Sequence, residues 1–240
     1  MKIVVLGGGI STERHVALVT GTSMCRALRS RGHKAIFVDM FMGLENYEGA
    51  LEDAFGAPDG LIGQVAIEKT APDLEAVKAS RRMPGPSRLG KNVLEICRLA
   101  DCVVLGLHGA DGEDGKIQAA LDLLGVPYTG SAPLPSAMAM DKAVTKVVME
   151  FAGILTPKWF ELRYTEADIP RLVEELPVPC SIKVVNGGSS IGVELPDTRE
   201  ELEKSLYALL PFHSRVIVEE KIIGREMTQP IVGDRWLNAI

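Results

Sequence analysis

What this chain has little of narrows it before any motif is read. Its four cysteines, Cys25, Cys97, Cys102 and Cys180, are scattered and form no C-x-x-C pair, so the sequence suggests neither a disulfide framework nor a thiolate zinc site. It has no basic excess. With a net charge of −6 and an isoelectric point near 5.4, it offers no broad cationic face for nucleic acid, so any phosphate recognition must be local. The opening apolar run, Ile3 to Leu6, is too short for a signal peptide or a membrane span. A cytoplasmic protein with no membrane and no nucleic-acid partner is expected. Internal repeats and low-complexity tracts are missing too.

What is present is an ordinary globular composition: 240 residues, 46% hydrophobic and 24% charged, enough for one large domain or two average ones. The β-branched run Lys2 to Leu6, the glycines Gly7-Gly8-Gly9 and the helical apolar spacing from Thr12 to Arg31 form a strand, turn and helix. Gly32 stops that helix, and His33 to Met40 reads as a second strand. Residues 45–90 are interrupted by Gly and Pro and show little pattern. A buried strand follows at Ala100 to Leu107, then a loop at 108–115, a helix at about 116–125 and a short strand at 126–129. This alternation predicts a parallel sheet covered on both faces, with ligand loops at the carboxyl ends of its strands.

A second, α+β domain is predicted to begin near residue 141. Met140 to Gly153 reads as helix, Trp159 to Arg163 as strand and 166–176 as helix. Strands Cys180 to Val185 and Ile191 to Glu194 then flank a glycine loop, Arg215 to Glu220 is a further strand, and the chain closes on a hairpin pattern.

That glycine loop, Asn186-Gly187-Gly188-Ser189-Ser190-Ile191-Gly192, is one of the segments that carry chemistry. Its glycines allow close backbone approach, successive N–H groups can form an anion nest, and Lys183 on the preceding strand can reach the same anion. A plain flexible turn with a solvated lysine fits the same letters. Lys142 stands at the predicted seam of the two domains. The first glycine loop fails as a dinucleotide fingerprint, because Thr12 occupies the third glycine position and Glu13 follows at the helix start. There the helix dipole favours a carboxylate, which would repel pyrophosphate and suit a cationic amine. A dipole-paired helix-start acid, with Ser11 or Thr12 as N-cap, is the simpler reading of the same residue. The acidic loop His108-Gly109-Ala110-Asp111-Gly112-Glu113-Asp114-Gly115 lies at a strand end but lacks calcium-loop spacing.

Taken in order, Gly7 to Arg14, His108 to Gly115 with Gln118, Pro127 to Ser131, Met140-Asp141-Lys142 and Gly188 to Gly192 resemble the D-alanine-D-alanine ligases. The resemblance implies an ATP-grasp fold: a Rossmann-like N-terminal substrate-binding domain over 1–140, a central ATP-grasp domain over 141–217, and the start of a C-terminal lobe over 218–240, which is cut short. It implies ATP and magnesium as cofactors, an acyl phosphate of one D-alanine, attack by the amine of a second, a product for peptidoglycan, and a homodimer. By the same resemblance Glu13 binds the ammonium of the first D-alanine, His108 lines that subsite and Ser189 helps position Glu13 and the substrate. Lys142, Lys183 and the backbone of Gly188 to Ser190 hold ATP phosphates. The stretch Glu219-Glu220-Lys221-Ile222 reads adenine, and Glu226 holds the ribose.

Two departures stand out. Where many members carry Pro-Ser-Arg-Glu this chain has Val184-Val185-Asn186-Gly187, and no Asn-x-x-Pro-Gly motif occurs. Asp234 and Asn238 belong to no acidic cluster. No metal residue is therefore named, magnesium ligands are expected beyond residue 240, and a catalytically inactive nucleotide-binding module is the alternative to a ligase.

Overall fold

The computed structural model describes residues 1–56, 72–188, 192–212 and 215–240. The chain falls into two compact units, one of Met1–Val148 joined by residues 186–188, the other of Met149–Val185 and Gly192–Ile240.

In the first unit β1 (Lys2–Gly7), β2 (Lys34–Asp39) and β3 (Cys102–Leu105) pair in parallel, in the order β2-β1-β3. Its helices are α1 (Arg14–Ser30), α2 (Leu74–Ser80), α3 (Val93–Arg98), α4 (Lys116–Leu124) and α5 (Pro133–Met140). The strands are apolar without alternation because both faces are covered. Ile3, Val5, Ala35 and Phe37 pack against Leu18, Cys25 and Leu28 of α1. On the opposite face Val4, Leu6, Ile36 and Val38 meet Val93 and Ile96 of α3 and Ile117 and Leu121 of α4. Burying each such Leu or Ile is worth roughly 1.5–3 kcal/mol. Gly21 lets α1 lie close to the sheet, since a Cβ there would stand 2.6 Å from the Phe37 ring of β2 and 3.3 Å from Gly7 Cα of β1. Burial pushes the Cys97 thiol up to about 12, with the Glu95 charge adding to it.

The parallel sheet with helices on both faces agrees with the sequence, and several boundaries do not. The predicted strand at 126–129 is a single bridge, Val103 to Tyr128, with Val103 N–H donating to Pro127 O and Thr129 N–H to Val103 O. Pro127 has no N–H to extend the ladder. Residues 45–90 hold a helix after all, α2, capped by Asp73, whose side chain accepts the Ala76 N–H at 3.0 Å. The helix expected over Met140 to Gly153 is α6 (Lys142–Phe151); α5 ends just ahead of it at Met140, parted from it by an extended Asp141. The first helix starts at Arg14, with Glu13 rather than Ser11 or Thr12 at the N-cap.

In the second unit β4 (Trp159–Arg163), β5 (Cys180–Val184), β6 (Val193–Glu194) and β7 (Arg215–Glu220) form an antiparallel sheet in the order β4-β7-β5-β6. The strand expected from Ile191 is only β6, and Ile191 lies outside the described residues. Helices α7 (Ile169–Glu175) and α8 (Arg199–Leu209) cover one face, where Leu172, Leu202 and Leu206 pack on Ile182, Val184, Val216 and Val218. The Tyr164 hydroxyl donates to Leu206 O at 2.7 Å, and burial raises its pKa to about 12. Directly opposed residues share a face, so the pairs Trp159–Glu219, Ser181–Glu219 and Lys183–Ile217 put these side chains on the other face. A short hairpin, β8 (Ile231–Val232) with β9 (Arg235–Trp236), ends the chain. Among the described residues no helix is long and apolar enough to cross a membrane.

Candidate functional site

At the carboxyl end of β1 the chain must turn into α1, and Gly8 and Gly9 do so with φ of 64° and 78°. Asp39, ending β2, fixes this turn. Its Oδ1 accepts from the Gly9, Phe41 and Met42 N–H groups, and its carboxylate is gripped by Arg14, which also donates to Gly9 O. An acid placed like this could have held a dinucleotide ribose, but it is committed to Arg14. The turn delivers Glu13 half-buried at the start of α1, its N–H donating to Ser11 Oγ at 3.2 Å.

The loop after β3 comes up beside it. Ser11 Oγ donates to His108 O at 2.8 Å, and the His108 ring sits between Thr20 Oγ1, 3.1 Å from Nε2, and Glu113 Oε1, 3.9 Å from Nδ1. Glu113 also accepts the Gly109 N–H at 2.8 Å. In the same loop burial would raise the Asp114 carboxyl, but hydrogen bonds from the Lys116 ammonium and from the Asp111 and Lys116 backbones, with the ammonium's charge, outweigh it and lower its pKa.

Glycines make room for the Glu13 carboxylate. A Cβ on Gly109 would lie 2.8 Å from its Oε2, and one on Gly188 would lie 3.0 Å from the same oxygen. Lys142, first residue of α6, donates to Gly187 O at 2.7 Å, and Asn186 bridges Asp141. The structure thus brings Glu13, the His108-Gly109 loop, Lys142 and Gly188 together within the first unit. Ser189 and Ser190 lie outside the described residues.

In the second unit Lys183 on β5 pairs with the buried Glu219 of β7. Glu220 is the exposed last residue of β7, and Ile222 and Glu226 are exposed in the stretch beyond it. A cavity of about 360 Å³ opens at this end of the sheet, lined by Lys158, Trp159, Phe160, Pro179, Glu219 and Glu220. Among the described residues there is no group of three or more His, Cys, Asp or Glu that could hold a metal ion.

Sequence reasoning assigned no role to Thr20, Asp39, Arg14, Arg88 or Glu113. Arg14 and Glu113 at least lie inside motifs it singled out. The others are joined across 23 to 88 residues, and no local pattern marks such pairs.

Comparison with known proteins agrees with this geometry. Residues 2–131 match the family model described as D-ala D-ala ligase N-terminus, and residues 142–240 match D-ala D-ala ligase C-terminus. A D-alanine–D-alanine ligase of Pediococcus pentosaceus is 39% identical over all of this chain and 68% of its own length. One from Aquifex aeolicus is 34% identical over all of this chain and 66% of its own. The crystal structure of the Bacillus anthracis ligase complexed with ATP superposes with a TM-score of 0.66 at 26% identity, covering 100% of this chain and 65% of that one. The VanG D-Ala:D-Ser ligase of Enterococcus faecalis gives 0.64 at 26%, over 98% and 67%. The chain therefore spans about two thirds of the length of its relatives. With both family models matched in order across two units of the corresponding folds, the chain belongs to the D-alanine–D-alanine ligase family.

Proposed function

We propose that this chain is the substrate-binding and central part of an ATP-dependent ligase that joins two D-alanines for peptidoglycan synthesis. The observation that carries the reading is the Glu13 carboxylate at a strand-to-helix turn, with space kept for it by Gly109 and Gly188. A carboxylate in such a place recognises an ammonium group, and the amino group of the first D-alanine is that partner. His108, held by Thr20 and faced by Glu113, lines the same subsite. Ser189 is assigned to the positioning of Glu13.

The residues present fit a nucleotide substrate. Lys142 and Lys183 supply point charges for its phosphates, and the backbone of Gly188 to Ser190 supplies N–H donors. The cavity beside Glu219 and Glu220 at the end of β7 suits an adenine read by the Glu219 to Ile222 backbone, with Glu226 on the ribose. Magnesium ligands are assigned to the length that the relatives have beyond this match, and the domain boundaries near 141 and 218 follow the same assignment. A cytoplasmic homodimer is proposed with them.

The chemistry is a phosphoryl transfer followed by an acyl transfer. A carboxylate oxygen of the first D-alanine attacks the γ-phosphorus, the bond to ADP breaks, and the acyl phosphate forms. The amine of the second D-alanine then attacks the acyl carbon and phosphate leaves. The full-length protein, given ATP, magnesium and D-alanine, should release phosphate and yield D-alanyl-D-alanine. No phosphate release while an authentic ligase turns over in parallel would refute the proposal, and a mixed product with D-serine or D-lactate would redefine the second substrate.

A further inference from the structure

The loops that hold Glu13 and His108 are tied together by a residue from the weakly patterned stretch 45–90. Arg88 donates from Nε to Asp111 Oδ2 and from a terminal nitrogen to Ile10 O at 3.0 Å. Ile10 is three residues before Glu13, and Asp111 lies in the loop of His108 and Gly109. Asp111 is a buried acid, 3% exposed, in a left-handed conformation with φ of 71°. Its other oxygen faces Lys116 at 3.5 Å and takes no hydrogen bond. Arg88 is thus its principal partner.

The base from which Arg88 reaches is itself fixed. Arg81, 8% exposed and stacked over Phe41 at 4.7 Å, donates to Ser87 O at 2.7 Å and to Leu89 O at 2.5 Å. It therefore clamps the backbone on both sides of Arg88. A planar guanidinium can satisfy two acceptors in fixed directions, which an ammonium cannot do with the same geometry.

We infer that Arg88 is a positioning residue for the first-substrate subsite, holding the Glu13 loop and the His108 loop at a fixed separation. The inference rests on the reading of Glu13 given above. Losing the tie lets the loops part, which weakens capture of the amino acid and leaves Lys183 and the Glu219 to Ile222 stretch proposed to hold the nucleotide unchanged.

Replacing Arg88 alone would leave the buried Asp111 carboxylate only the Lys116 ammonium at 3.5 Å and endanger folding. The test is therefore the double variant Arg88→Met with Asp111→Asn, assayed in the full-length protein beside wild type. We expect KM for D-alanine to rise about tenfold or more, the scale of a small misplacement in a site, with KM for ATP within about twofold. Asp111→Asn alone keeps an amide oxygen as acceptor for Arg88 as well as the Arg88 bond to Ile10 O, so its KM for D-alanine should rise less than that of the double variant. A folded double variant with unchanged KM for D-alanine, or an equal rise for both substrates, overturns the inference. Should the double variant not fold, Arg88→Lys makes the same comparison, with a rise of roughly threefold for D-alanine expected and none overturning it. Inactivity of the wild type itself would count against the ligase reading, not against Arg88.

Discussion

Gly188 and Gly109 carry no side chain where one would meet the Glu13 carboxylate, and this sets the sharpest residue-scale expectations. At Gly188 the clash is with the far end of a flexible side chain, so Gly188→Ala should displace Glu13 without unfolding the protein. KM for D-alanine should rise by about tenfold, while the melting temperature stays within a few degrees, about 1 kcal/mol or less. Glu13→Gln should weaken D-alanine and spare ATP, and Lys183→Ala should do the reverse, because Lys183 stands on β5 beside Glu219. Steady-state kinetics with each substrate varied checks this, and equal losses for both substrates in both variants would contradict the division. The placement of Glu13 was legible in the sequence because a strand, three glycines and a helical spacing put it at a helix start. Arg88 was not, because its partners Asp111 and Ile10 lie 23 and 78 residues away and only the folded sheet brings them near.

At the scale of elements, apolar patterning located the strands well. Trp159–Arg163 and Arg215–Glu220 match their expected bounds, since both have an apolar face against α7 and α8. Short helices were harder to read. In α5 the run Pro-Leu-Pro-Ser-Ala-Met-Ala-Met has no clear apolar stripe, and its one signal was Pro133 at the first helical position. In α2 no residue is buried, so no core face marked it, and only the Asp73 cap identifies its start. Caps also carry a prediction. Thr198 caps α8 by accepting the Glu201 N–H at 3.2 Å, so Thr198→Ala should cost about 1 kcal/mol of stability, read as a lowered denaturation midpoint at unchanged slope. An unchanged midpoint would show that packing of Leu202, Leu206 and Leu209 alone holds that helix.

For the whole molecule, the sequence announced two folds in succession, a covered parallel sheet and then an antiparallel α+β unit, and the structure has both. Less legible was the allegiance of the glycine loop: it follows β5 in sequence, yet residues 186–188 pack with the first unit beside Glu13 and Lys142. The measurement closest to the central claim uses D-alanine labelled with oxygen-18 in its carboxylate, given to the full-length protein with ATP and magnesium. Passage through an acyl phosphate transfers one labelled oxygen to each phosphate released, and mass spectrometry should find it there. Phosphate released without label, or only when D-alanine is absent, would contradict the account.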